Sequence, residues 1–210
     1  MGASIQPVIP YAGILQIVVT LSIAIIASCL TARISVTRWP GSRVKVSIIG
    51  CIATLLATFA SILFHGLGMR NIQTIFLACV FLYISYGDMK THEMDDFVHV
   101  IVLAVALIEK PAGQIPASIL AAATVVAVML VVAAAAPDTG IGGADMRFCA
   151  AGSFLMSTFV DGLFALGFGT FVALLFNSPF RKKKDGAGKG FPMLPYLSCS
   201  YMFVFLLSNS

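Results

Sequence analysis

Seven apolar runs alternate with short polar stretches along the chain: Tyr11 to Thr31, Lys45 to Phe64, Ile72 to Tyr86, Phe97 to Ile108, Ile115 to Ala136, Phe148 to Asn177 and Pro192 to Leu207. Most approach the roughly 20 residues that a helix needs to cross about 30 Å of hydrocarbon. The Phe97 to Ile108 run is short for a crossing, which predicts a helix that extends past its flanks or runs obliquely. The Phe148 to Asn177 run is too long, since as one helix it would measure about 45 Å. Asp161-Gly162 lies near its middle, and a carboxylate followed by glycine fits a turn at the far interface better than the bilayer centre. The pattern therefore predicts two short helices there, 148 to 160 and 163 to 177. The expected fold class is an all-α polytopic membrane bundle of about eight transmembrane segments, with both termini extracytoplasmic.

The distribution of cations supports that division. With a turn at Asp161, one side collects Arg33, Arg38, Arg43, Lys45, Lys90, Arg147, Arg181, Lys182, Lys183, Lys184 and Lys189, and the other only Arg70 and Lys110. Cytoplasmic loops carry the excess of Lys and Arg, so the loops at 32 to 44, 87 to 96, 137 to 147 and 178 to 191 are read as cytoplasmic. Without the turn the cations divide almost evenly, and no orientation follows. The Arg181 to Lys184 cluster reads as an orientation and lipid-headgroup signal.

Composition narrows the class further. The chain is 59% hydrophobic and 10% charged, with a mean hydropathy of +0.99, which excludes a water-soluble globular protein. Its 210 residues leave no room for a separate soluble domain, so 1–210 is read as one membrane domain. The net charge of +4 resides in short loops and is a membrane-orientation feature, with no nucleic-acid partner implied. The first apolar run has no basic residue before it and is read as a retained span. Cys29, Cys51, Cys79, Cys149 and Cys199 form no C-x-x-C pair, and His65, His92 and His99 are not grouped for a metal, so no metal or other cofactor is expected.

Seven of the nine acidic residues fall on the cytoplasmic side, and two of them share a local pattern. Asp88 in YISYGDMKTHEMDDF and Asp145 in GIGGADMRF each follow small residues and precede Met and then a cation, Lys90 or Arg147. Both lie at one membrane depth. Two facing carboxylates share a proton because both cannot ionise cheaply at a few ångströms. One then takes a proton from water as it attacks a carbonyl, while the other supports the oxyanion and passes a proton to the leaving amine. Gly140, Gly142 and Gly143 would let a substrate or an opposing helix approach the backbone closely. Asp96 reads first as the N-cap of the fourth helix, and Asp161 as a turn residue.

At these residues the chain resembles the prepilin leader peptidases, polytopic aspartic enzymes of the GxGD type. Asp88 with Asp95-Asp96 is similar to the family's helix-end Asp followed by Pro-Asp or Pro-Asn. Gly142-Gly143-Ala144-Asp145-Met146-Arg147-Phe148 is similar to its G-x-G-D motif followed by a hydrophobic residue, Lys and Leu. AAGSF at 150 to 154 and FPMLPY at 191 to 196 extend the likeness over roughly 80 to 208. Asp95 stands where the family has Pro, Ala144 where it has Gly, and Arg147 where it has Lys. The short RISVTRWPGSRVK loop lacks the larger members' zinc-bearing insertion, which makes the chain similar to peptidases of Flp/tight-adherence pili or archaeal preflagellins.

The resemblance implies a multi-pass enzyme of the inner or plasma membrane, with its active site facing the cytoplasm. It would cut the short basic leader from a prepilin, pseudopilin or preflagellin precursor through Asp88 and Asp145. Glu93, Asp95 and Asp96 are candidates for holding the cationic leader, Lys90 and Arg147 for pairing with an acidic residue of the mature segment, and Gly142 and Gly143 for admitting the substrate backbone. The alternatives are a presenilin- or signal-peptide-peptidase-like protease, a proton-coupled transporter, and an assembly factor without catalysis.

Overall fold

The computed structural model describes residues 11–92, 94–108, 110–135, 142–177 and 192–208. Eight α-helices lie among them: α1 (Tyr11–Arg38), α2 (Arg43–His65), α3 (Met69–Thr91), α4 (Phe97–Leu107), α5 (Ile115–Ala135, after a 3-10 turn at Ala112–Gln114), α6 (Gly143–Ser153), α7 (Phe159–Asn177) and α8 (Leu194–Leu207). Among the described residues, five helical stretches are long and apolar enough to cross a membrane: Gly13–Arg38, Arg43–His65, Met69–Thr91, Ala112–Ala135 and Phe159–Phe176. The regular structure among the described residues is all-helical, as expected of apolar runs long enough to cross a membrane. The other three helices are short. At 11 residues each, α4 and α6 reach about 17 Å, and α8 at 14 residues about 21 Å. The fourth helix does not extend past its flanks.

The long run after residue 148 does break into two helices, but the turn is not at Asp161. The chain turns through 154–158, where Phe154, Leu155 and Met156 donate tight N–H bonds to Ala151, Gly152 and Ser153. Lys110 explains the position, because its ammonium donates to the carbonyls of Phe154 (2.6 Å) and Met156 (2.9 Å) just past α6. A cation there satisfies oxygens that the helix leaves unpaired. Asp161 belongs instead to the first turn of α7: its carboxylate accepts from the Thr158 hydroxyl at 2.8 Å and the Thr158 N–H at 3.2 Å. The Thr158 oxygen in turn accepts the Asp161 N–H at 3.2 Å. This reciprocal cap starts a helix.

Packing centres on α3, whose spanning window is 56% buried against 11% for α1. Helices α4 and α8 each pack against both α3 and α6, so these four surround a common core. Phe81 of α3 meets Phe148 of α6 edge-on at 5.4 Å, and Phe148 meets Tyr201 of α8 at 5.7 Å. The far end of the bundle is closed by Arg70, which donates to the carbonyls of Phe205 and Ser208 at 2.7 Å each, and by His65 against the Leu206 carbonyl at 2.9 Å. The two cations assigned to this side of the chain, Arg70 and Lys110, are thus both engaged by carbonyls around helix C-termini.

Candidate functional site

Contacts at the opposite end bring together the C-termini of α1 and α3 and the N-termini of α4, α6 and α8. Asp88 lies in the last turn of α3 and Asp145 in the first turn of α6, and both are buried, at 6% and 8% exposure. Phe81 lies about two turns before Asp88 in α3 and Phe148 about one turn after Asp145 in α6, so their edge-on contact lies on the bundle side of both carboxylates.

Each aspartate has one oxygen fixed by backbone. The Asp88 Oδ2 accepts the Leu194 N–H at 2.9 Å, at the start of α8, where Met193 supplies no side-chain cap. Asp88 therefore serves as a cap borrowed from another helix. The Asp145 Oδ2 accepts the Gly142 N–H at 3.0 Å, the N3 residue reaching back to its own N-cap. Asp145 lies outside the five spanning stretches, and burial pushes its carboxyl up to about 6; the Gly142 bond opposes this shift, and the charge of Asp88 adds to it. The two acids, 57 residues apart in sequence, are thus both buried at this end of the bundle. The His92 Nδ1 lies 3.9 Å from the Asp88 Oδ1, one turn along α3.

The residues expected to bind substrate divide into several environments. Asp95 is half-buried, accepts the Tyr83 hydroxyl at short range and is 3.5 Å from Arg38. Asp96 is exposed and pairs with Arg147, whose Nε also donates to the Gly143 carbonyl at 3.2 Å. The expected N-cap role of Asp96 is not seen: its backbone is already helical and its carboxylate makes no cap bond. Crossing to α6, it ties two helix N-termini together instead. Lys90 is exposed, with its ammonium 5.7 Å from the Tyr86 ring centre. A Cβ at Gly143 would meet nothing, and one at Gly142 only its own Asp145 and Ala144, so no opposing helix presses on them. Glu93 and Gly140 lie outside the described residues.

Sequence reasoning missed a supporting layer. The Trp39 ring lies on Gly87, beside Asp88: a Cβ there would fall 2.6 Å from Cη2 and 2.7 Å from Cζ2. Trp39 also packs on Tyr83, with ring centres 4.8 Å apart, so the α1–α2 loop braces the helix end that carries Asp88. The Gly in Tyr86-Gly87-Asp88 was the only local sign of it. No group of three or more metal-ligating side chains occurs among the described residues. No family model, curated protein or solved structure matches this chain.

Proposed function

We propose that the chain is a membrane-embedded aspartic endopeptidase that removes the short basic leader of a type IV prepilin-like precursor. In this reading all eight helices are membrane segments, both termini are extracytoplasmic, and Asp88 and Asp145 face the cytoplasm of the inner or plasma membrane. One observation carries the proposal: two buried carboxylates from separate helices stand at one end of the bundle, each with one oxygen held by a backbone N–H. Burial favours the singly protonated pair. Backbone N–H bonds hold one oxygen of each acid, and among the described residues the second oxygen of Asp145 takes no hydrogen bond, leaving it to accept from water or, when protonated, to donate to a peptide carbonyl. Among the described residues nothing would meet a Cβ at Gly143, which supports access by an extended segment.

The test is co-expression with a candidate prepilin, comparing leader removal by wild type, Asp88→Asn and Asp145→Asn at equal membrane levels. Asparagine caps a helix about as well as aspartate, so these variants keep the Leu194 and Gly142 bonds while removing the titrating group. The expected result is no detectable processed pilin with either variant. Processing that survives Asp88→Asn would assign Asp88 to capping α8 alone and end the peptidase reading.

A further inference from the structure

Among the described residues, two lateral apolar grooves are of similar size. One, about 730 Å³, runs between α1, α3 and α4 and has no cation among its lining residues. The other, about 750 Å³, runs between α2, α3 and α8 from Leu206 to a mouth formed by Ser42, Lys45, Tyr86 and Lys90, with no acidic residue along it.

The mouth has the makings of an anion site. It lies at the N-terminus of the 23-residue α2, whose first N–H groups have no intrahelical partner. Ser42 occupies the N-cap position without a side-chain cap bond, and the first turn holds Arg43 and Lys45 but no acid. Two cations at the positive end of a helix dipole are unfavourable unless an anion joins them. Lys45 and Lys90 form no ion pair among the described residues. A second, independent observation points into the same place. Tyr86 is 93% buried, since only 7% is exposed, yet its hydroxyl has no hydrogen-bond partner. It sits directly beneath the loop: a Cβ on Gly41 would fall 1.9 Å from that hydroxyl and 3.7 Å from Lys90 Cε. Deeper in the groove the Ser198 hydroxyl is likewise buried and unpaired.

We propose that this groove binds an anionic phospholipid, with the phosphate held by the α2 N-terminus, Ser42, Lys45 and Lys90, and by the Tyr86 hydroxyl once the Gly41 backbone that covers it shifts, and the acyl chains laid between α2, α3 and α8. An acidic, apolar helix from another protein is the competing occupant. The groove is largely apolar along its length and cationic only at its mouth, the layout of acyl chains beneath a phosphate. The site stands independently of the peptidase reading.

The test is native mass spectrometry of the purified full chain released from detergent with phosphatidylglycerol, phosphatidylcholine or glycerol phosphate. The expected result is retention of phosphatidylglycerol over phosphatidylcholine, with no retention of glycerol phosphate. Lys45→Gln should weaken phosphatidylglycerol binding about fivefold and Lys45→Arg should restore it. Tyr86→Phe, which keeps the ring, should weaken binding without changing the circular dichroism spectrum. Equal retention of the two lipids, binding of glycerol phosphate alone, or Lys45→Gln binding like wild type would each overturn the proposal.

Discussion

Replacing Asp145 by asparagine tests how the buried acid pair is held. The Asp145 carboxyl rises from 3.8 to about 6, chiefly through burial, and its 8% exposure leaves little solvent to screen that shift. At about 1.36 kcal/mol per pKa unit, the shift corresponds to about 3 kcal/mol. The folded state binds more protons than the unfolded state between these two values. Wild-type stability should therefore be greatest near pH 4, fall as pH rises to about 6, and level off above. Asp145→Asn stays neutral and retains the bond to the Gly142 N–H, so its profile should lack that slope and exceed wild type by up to about 3 kcal/mol at pH 8. Titration with sodium dodecyl sulfate in dodecylmaltoside micelles, followed by fluorescence of Trp39, the single tryptophan, would measure this. Parallel profiles for the two proteins between pH 4 and 8 would refute the claim that burial holds a proton on Asp145. Under the proposed mechanism, wild-type cleavage should also decline above pH 6, about tenfold per unit, as the pair loses its shared proton.

Gly87→Val should press its side chain into Trp39 and cost about 1–3 kcal/mol, with a shift in tryptophan emission and reduced leader removal. Unchanged emission and stability would show that the loop does not brace this helix end. Asp161→Ala should cost about 1 kcal/mol by removing the reciprocal cap with Thr158, measured in the same micelle titration, while leaving cleavage intact. A loss of cleavage at full stability would contradict a purely capping role.

Much of the architecture was legible along the chain because partition into lipid is a local, nearly additive property. A run of apolar residues becomes a helix whatever it packs against, since lipid offers the backbone no other partner. The same reasoning showed that the 148–177 run had to divide, because its length exceeded any bilayer. It also put Asp88 and Asp145 toward the same end through the alternation of helices. Which residue made the turn was not legible: Asp161 looked like a breaker, but Lys110, from another loop, capped the chain at Phe154 and Met156.

The site divides along the same line. Residue type and spacing singled out the two acids, but only tertiary structure decided what holds them: Asp88 bonds to Leu194, 106 residues away, and Trp39 lies on Gly87 across a helix interface. Asp96 had the sequence of a helix cap, yet Arg147 from α6 claimed its carboxylate, a pairing that no local pattern encodes. Hydropathy is summed over neighbours in sequence, whereas a hydrogen bond or a steric contact depends on where distant segments meet. The chain therefore determined by itself that it would form apolar helices long enough to cross a membrane with acids toward one end, and packing alone decided which groups surround them.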